Sequence, residues 1–163
     1  MPRRFLPRGH ERPPGIEHER FRLRPITIHD VVKDYDAVMT SAPRLRRRFP
    51  LWGWPADDLS LEDDLLDLAW HQREADHRSS FNYAVMSPDE RRLLGCVYVD
   101  PPEKQGEDAV AALWVRADEE DTGLEDVLEA EVRDWIAREW PFRAVRWPGR
   151  DISWEAWDAL PDA

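Results

Sequence analysis

The sequence has a single cysteine, Cys96, among 163 residues, so it contains no intramolecular disulfide. Cys96 lies in an apolar, strand-like run, which predicts a buried free thiol and a reducing compartment. The chain also lacks an uninterrupted run of about 18 apolar residues, so we expect no membrane-spanning helix. Its first residues include arginines but no apolar segment after them, so no secretory signal is visible. These absences together predict a cytoplasmic protein.

Positive charge is scarce relative to negative charge: 23 Lys and Arg stand against 34 Asp and Glu, for a net charge of -11. Five of the arginines lie within residues 1–20, so the acidic excess belongs to the rest of the chain. Such a body is a poor match for nucleic acid or an anionic membrane, because both require cations from their partner. It favours a cationic substrate. The alternative is that the acidic charge only keeps the protein soluble.

Metal-ligating residues are also sparse. His71 and His77 are six residues apart, which places them on different faces of a predicted helix, and no cysteine is near them. The sequence therefore predicts no metal site.

The length of the chain is typical of one domain with an adequate core. Residues 1–20 are rich in Pro and Arg and poor in apolar residues, which predicts a disordered basic arm, and residues 21–163 form the predicted domain. Within it, Thr27 and Ser60 are predicted helix N-caps, each with an aspartate three residues later. Alternating or continuous apolar runs predict strands at residues 21–24, 81–86, 93–99, 110–115 and 142–147.

The most informative segment is residues 110–140, which reads as a strand, a short acidic loop and a helix. Leu124, Val127, Leu128, Val132, Trp135 and Ile136 form one apolar stripe at helical spacing. A helix that begins directly after a strand presents free N–H groups and a positive dipole end, which favours a phosphate-bearing ligand. The loop itself is acidic, however, and an acid-capped helix start without a ligand is the alternative.

The order of these elements resembles the GNAT family, the acetyl-CoA-dependent N-acetyltransferases, over about residues 21–147. Three local features carry the resemblance: Phe21-Arg22-Leu23-Arg24-Pro25 followed by Thr27-x-x-Asp30, then Leu94-Gly95-Cys96-Val97, and Leu113-Trp114-Val115 followed by an acidic turn and a helix. The resemblance implies a single α/β (α+β) domain with a twisted, mixed, mostly antiparallel sheet flanked by helices, shortened at its C-terminus.

The resemblance also implies an acetyl-CoA site on the strand–loop–helix unit. Its residues would be Leu113, Trp114, Val115, Arg116, Asp121, Thr122, Gly123 and Leu124. The family's loop pattern is Gln/Arg-x-x-Gly-x-Gly/Ala, and here only Gly123 matches, because Glu120 and Glu125 occupy the other two positions. A carboxylate that points inward would repel the pyrophosphate. Arg116 and the cluster Arg44–Arg48 are the cations that could offset this repulsion.

The resemblance further implies transfer of an acetyl group to an amine, with the N–H of Val115 as an oxyanion donor. The tyrosine that often protonates the leaving thiolate is absent by position, since the last tyrosine is Tyr98. The candidates for proton transfer are Glu62, His71, Tyr83 and Tyr98. The partner would be a small or peptidic amine. A module without cofactor binding is the alternative, and its tryptophan-rich surface would support binding or a homodimer.

Overall fold

The computed structural model describes residues 5–163. Over these residues, six strands form one sheet in the order β1-β2-β3-β4-β5-β6. The strands are β1 Ile16–Glu17, β2 Arg22–Pro25, β3 Phe81–Met86, β4 Leu93–Asp100, β5 Ala109–Val115 and β6 Val145–Arg146. The helices are α1 Val31–Thr40, α2 Ala42–Arg48, α3 Leu61–Asp76, α4 Leu124–Glu139 and α5 Trp154–Asp158. All neighbouring strands are antiparallel except β5 and β6, which are parallel. The predicted mixed, mostly antiparallel sheet is confirmed.

The predicted helix starts depend on side chains that satisfy free backbone N–H groups. Thr27 and Asp30 form a capping box, although the first turn is a 3-10 turn, Ile28–Asp30, that leads into α1. Ser60 and Asp63 form the same arrangement at the start of α3. Ser153 accepts a hydrogen bond from the N–H of Ala156 and caps α5. Each cap supplies an acceptor that the helix cannot supply itself.

The two faces of the sheet carry different hydrophobic cores, because successive strand residues point to opposite sides. Phe81, Tyr83 and Val85 pack with α4 through residues such as Leu128 and Trp135. Ala84, Met86, Cys96 and Trp114 pack on the other side with α1, α2 and α3. This second face is the one that carries the candidate ligand pocket.

The segment expected to be a disordered arm is ordered from residue 5 onward, which corrects that prediction. Leu6 is 1% exposed and lies in the core, and Ile16–Glu17 adds β1 to the sheet. The buried hydroxyl of Tyr83 donates to the carbonyl of Pro13 at 2.6 Å. These long-range contacts, which local composition does not reveal, hold the segment on the domain. Residues 1–4 of the predicted arm lie outside the described residues.

Helix α1 ends at Thr40, and Pro43 occupies the first turn of the next helix, α2, where its missing N–H costs nothing. The basic cluster Arg44–Arg48 therefore lies on a helix. The strand predicted at residues 142–147 is limited to Val145–Arg146. None of the helices within residues 5–163 combines the length and apolar character needed to cross a membrane.

Candidate active site: a strand edge and an acidic pocket

The outer edge of β5 is exposed to side chains rather than to a full neighbouring strand. β6 pairs only with Ala109 and Val110. On the other side, the N–H of Arg116 donates to the carbonyl of Leu94 at 2.8 Å. The alternation of antiparallel hydrogen bonds therefore turns the carbonyls of Leu113 and Val115 away from β4 and toward this edge. The backbone groups at the C-terminal half of β5 are thus available to another partner.

Two arginines currently meet these carbonyls. Arg150 Nη2 is 3.4 Å from the oxygen of Leu113, and Arg44 Nε is 3.4 Å from the oxygen of Val115. Both distances are long for N–H···O hydrogen bonds, so the contacts are weak. They occupy the edge without closing it as a paired strand would.

Glu125, at the start of α4, forms ion pairs with both of these arginines and with Arg48. Glu125 lies 3.0 Å from Arg48, 3.2 Å from Arg150 and 3.3 Å from Arg44. Arg44 also pairs with Glu120 at 2.6 Å, and Arg150 pairs with Glu129. The guanidinium of Arg48 has a lowered pKa, first because of burial and then because of the nearby Arg150. We call Arg44, Arg48, Arg150, Glu120, Glu125 and Glu129 the cleft ion network.

The acidic loop does not fold back onto its own amides. The carboxylates of Asp118 and Glu119 pair with Arg92, and Glu120 joins the cleft ion network. Gly123 has φ +76, and a Cβ placed there would meet no atom within 4 Å. The space beside Gly123 is therefore open, and Asp118, Glu119 and Glu120 are each paired with an arginine, whereas Asp121 has no ion pair among the described residues. This arrangement removes much of the repulsion expected from the sequence.

A pocket of about 340 Å³ lies on the α1/α3 face of the sheet, bounded by α3 and β4. Asp34, Asp64, Asp67, Glu74 and Asp100 contribute five carboxyl groups to its wall, and no Lys or Arg of the described residues lines it. Its aromatic and apolar wall consists of Ile26, Trp52, Trp54, Leu68 and Tyr98. The volume is typical of a small-ligand site. Its charge suits a cation.

Three of these carboxyl groups titrate far from their ordinary range. Burial, followed by the charge of Asp64, raises the pKa of Asp34 well above its usual value. Burial raises the pKa of Asp64 to about 6 and that of Asp100 to about 7. Groups with such values near neutral pH are candidates for proton transfer.

The predicted catalytic residues are dispersed by the fold. His71 and Tyr98 line the pocket, and His71 Nδ1 lies 3.4 Å from Glu74. The Tyr98 hydroxyl accepts a hydrogen bond from Trp114 Nε1 at 2.8 Å, and burial raises the pKa of Tyr98. Tyr83 lies on the opposite face of the sheet. Glu62 is exposed on α3 and does not line the pocket. The structure therefore brings together only two of the four candidates.

The predicted cofactor residues lie close together in space, but they differ in whether they offer backbone atoms or side chains to a ligand. The side chains of Leu113, Trp114, Val115 and Leu124 are buried in the core, so they offer backbone atoms alone. Arg116 is 7% exposed and is held by Asp36 and Asp118. The hydroxyl of Thr122 accepts from the N–H of Leu124 at 3.3 Å. Asp121 and Gly123 are exposed in the loop.

Sequence reasoning missed Asp34, Asp64 and Asp100 as site residues. A signal was present for Asp34, which stands at helical spacing with the apolar residues Val31 and Val38 of α1 and is buried like Val38. A charged residue at such a position is costly unless it has a partner or a function.

No protein-family model and no curated protein sequence matches the chain. Several solved structures do. RimL, the ribosomal L7/L12 alpha-N-protein acetyltransferase in complex with coenzyme A, has a TM-score of 0.60 at 15% identity, over 74% of this chain and 66% of its own. The chain thus spans slightly less than two thirds of RimL.

Two further matches are similar in quality. The ribosomal-protein-S5-alanine acetyltransferase from Vibrio fischeri has a TM-score of 0.58 at 16% identity, over 90% of this chain and 81% of its own. The microcin C7 self-immunity acetyltransferase MccE, in complex with acetyl-CoA and AMP, has a TM-score of 0.59 at 12% identity, over 76% and 67%. A putative GNAT-family acetyltransferase from Bordetella pertussis is also similar, with a TM-score of 0.52. The chain therefore has the α/β fold of the GNAT acetyltransferases.

Proposed function

We propose that the protein is an acetyl-CoA-dependent N-acetyltransferase that acts on a cationic amine. The observation that carries this proposal is the outer edge of β5. There the backbone carbonyls of Leu113 and Val115 point outward, beside an open helix start and three guanidinium groups. A thioester cofactor with a pyrophosphate needs these same elements: extended backbone partners, a helix N-terminus and cations.

The residues present fit the cofactor in charge, although the loop lacks the family's glycine pattern. Leu113 and Val115 would hold the pantetheine chain through backbone groups. On cofactor binding, the pyrophosphate would replace Glu125 as the anion that Arg44, Arg48 and Arg150 contact. The long 3.4 Å contacts from Arg44 and Arg150 to the β5 carbonyls are the weakest part of the present arrangement, so we expect them to yield first.

When bound, acetyl-CoA would supply an acetyl thioester, whose C–S bond breaks as a C–N bond to the amine forms, and the thiolate would leave as the free thiol with the proton that the amine loses. The chain must first take a proton from the ammonium form of the substrate, because only the neutral amine is a nucleophile. The pocket carboxylates of Asp64 and Asp100, with pKa values of about 6 and about 7, are suited to accept it. His71, which also lines the pocket, is a second acceptor.

The experiment is a calorimetric titration of the purified protein with acetyl-CoA, with dephospho-CoA as the control. We expect binding in the micromolar range and similar binding of dephospho-CoA, because the three arginines are proposed to hold the pyrophosphate. Absence of heat at millimolar acetyl-CoA would overturn the proposal. If acetyl-CoA binds and dephospho-CoA does not, the arginines contact the 3′-phosphate rather than the pyrophosphate.

A second candidate function is amine binding without cofactor. It is favoured by the fact that Arg44 and Arg150 already occupy both β5 carbonyls and are already matched by carboxylates. In that case the cleft ion network is structural. The same titration separates the two functions, since the second predicts no binding of acetyl-CoA.

A homodimer remains a further proposal, but the surface that supports it differs from the expected one. Of the loop and terminal tryptophans that were expected to form it (Trp52, Trp54, Trp154 and Trp157), Trp157 is buried and Trp52 is exposed. The exposed large apolar side chains also include four on α3: Leu61, Leu65, Leu66 and Trp70. An apolar group of this kind is typical of interfaces. Light scattering of the protein and of a Leu66→Gln, Trp70→Gln variant would test whether α3 forms the interface.

A further inference from the structure

Four of the five carboxyl groups of the acidic pocket lie at two ends of its lining, and the fifth, Asp67, lies one helical turn after Asp64. One end has Asp34 from α1 and Asp64 from α3, next to Cys96 of β4. The other end has Glu74 from α3 and Asp100 from β4. From residue 64 to 74 the helix rises ~15 Å, and from residue 96 to 100 the strand extends ~13 Å. The two walls therefore separate the two anionic ends by similar distances.

The middle of the pocket combines apolar and aromatic side chains with Asp67 and His71. Leu68 and Tyr98 lie between the two ends along the helix and the strand, and the loop residues Trp52 and Trp54 contribute to the same wall. Methylene groups pack well against such a surface, and aromatic faces attract cations as well. The pocket thus has carboxyl groups at both ends and an apolar and aromatic wall between them, to which Asp67 and His71 add polar groups.

Polar atoms in the wall lack partners. Asp64 is 2% exposed, and its Oδ2 forms no hydrogen bond within the described part of the chain. Asn82 is 8% exposed and lines the same space, and its Nδ2 also has no partner among residues 5–163. A buried polar atom without a partner costs free energy. The unmatched oxygen of Asp64 is therefore a specific place for an N–H donor.

The far end gives access to the pocket. Glu74, Ser80 and Asp100 line both this pocket and a larger neighbouring groove. The Ser80 hydroxyl donates to Asp100, which fixes the carboxyl at the junction. A ligand that enters from the groove meets Asp100 and Glu74 first and Asp34 and Asp64 last.

We propose that this pocket binds a linear aliphatic amine with two separated ammonium groups, one at Asp34 and Asp64 and the other at Glu74 and Asp100. The methylene chain lies against Leu68, Tyr98 and the two tryptophans. As a substrate assignment the proposal rests on the proposed acetyltransferase function, but as a binding assignment it does not. A protein N-terminus carries a single α-ammonium group and would leave one of the two anionic ends without a cation.

The test is calorimetry of the full chain at low salt without acetyl-CoA, using three probes. An eight-carbon α,ω-diamine spans both ends, the four-carbon diamine putrescine spans only part of the pocket, and octylamine has the same chain with one ammonium group. We expect the eight-carbon diamine to bind at least about tenfold more tightly than either control, because only it makes charge-assisted hydrogen bonds at both ends.

Variants identify the two ends. Asp64→Asn and Asp100→Asn should each weaken binding of the eight-carbon diamine about tenfold or more, whereas only one of them should weaken octylamine. Asp76→Asn removes the same charge from an exposed position of α3 that does not line the pocket, and it should change neither affinity. Thermal unfolding of each variant establishes that it is folded.

Equal affinity for octylamine and the diamine would overturn the proposal, as would equal effects of Asp64→Asn, Asp100→Asn and Asp76→Asn. Because no cofactor is present, this result is independent of the acetyl-CoA titration. Binding of the diamine without binding of acetyl-CoA would support this inference and contradict the proposed function. The reverse outcome would lose this inference alone.

Discussion

The substitution Glu125→Gln separates the structural role of the cleft ion network from its role in ligand binding. Glu125 contacts Arg44, Arg48 and Arg150 at 3.0 to 3.3 Å, and its side chain is 19% exposed. Glutamine keeps the shape and removes the charge. Arg44 keeps Glu120 and Arg150 keeps Glu129, whereas Arg48 has no other ion pair among the described residues.

The cost in stability follows from the degree of burial. Removal of one partner from a fully buried ion pair costs ~3–5 kcal/mol, and an exposed pair contributes ~0–1 kcal/mol. The network lies between these limits, so we expect Glu125→Gln to lower the free energy of unfolding by about 2 kcal/mol. For a domain of this size the melting temperature should fall by about 4–8 °C.

The effect on cofactor affinity should have the opposite sign. A carboxylate ~5–8 Å from a bound anion is unfavourable by ~2–3 kcal/mol at an effective dielectric of ~20. Its removal also frees three guanidinium groups for the pyrophosphate. We therefore expect Glu125→Gln to bind acetyl-CoA about tenfold to a hundredfold more tightly while being less stable.

Thermal or urea unfolding and calorimetric titration measure the two effects on one preparation. Glu131→Gln is the matched control, because it removes the same charge from the same helix at a residue without an ion pair in the described structure, ~9 Å farther along. A Glu125→Gln protein as stable as this control would refute the structural role. Lower stability with unchanged or weaker acetyl-CoA binding would refute the exchange of Glu125 for phosphate.

Three other substitutions test separate parts of the account. Asp100→Asn should raise the free energy of unfolding at about pH 8 but not at about pH 4. The carboxyl group of Asp100 has a pKa of about 7 in the folded protein, so it keeps a proton that the unfolded chain loses above about pH 4, and its contribution to stability falls as the pH rises between these values. Urea unfolding at both pH values measures this, and an equal effect at both would contradict it. Gly95→Ala should cost more than about 3 kcal/mol or abolish soluble expression, because its Cβ would lie 2.0 Å from the carbonyl oxygen of Trp114; a normal melting temperature would show that β4 and β5 are less closely packed. Tyr83→Phe should lower the free energy of unfolding by about 1–3 kcal/mol, since it leaves the carbonyl of Pro13 without its buried donor, and should leave diamine affinity unchanged; a large loss of affinity would place Tyr83 at the site after all.

The elements that follow local rules were predictable. The apolar stripe from Leu124 to Ile136 identified α4, and the Ser60–Asp63 capping box identified the start of α3. In contrast, Pro43 is compatible both with the end of one helix and with the first turn of the next, and local sequence does not distinguish these. The packing of Leu6 depends on contacts with distant parts of the chain, so composition alone misjudged residues 5–20.

The candidate site was less predictable than the fold for a related reason. The acidic loop was visible in the sequence, but whether its carboxylates faced inward depended on Arg44, which is 76 residues from Glu120. Similarly, Asp34 and Asp64 interact across two helices, and Asp100 joins them only through the sheet. A pocket built from separate elements has no local pattern, so its charge and length become visible only in three dimensions.

The most direct test of the central claim is acetyl transfer itself. The protein would be incubated with acetyl-CoA and the eight-carbon diamine, with thiol release followed by absorbance and the product identified by mass spectrometry. The account predicts a mono-acetylated diamine formed with one free thiol per product, at a rate reduced by Asp64→Asn or Asp100→Asn and unaffected by Asp76→Asn. Binding of both ligands without any acetylated product would contradict it.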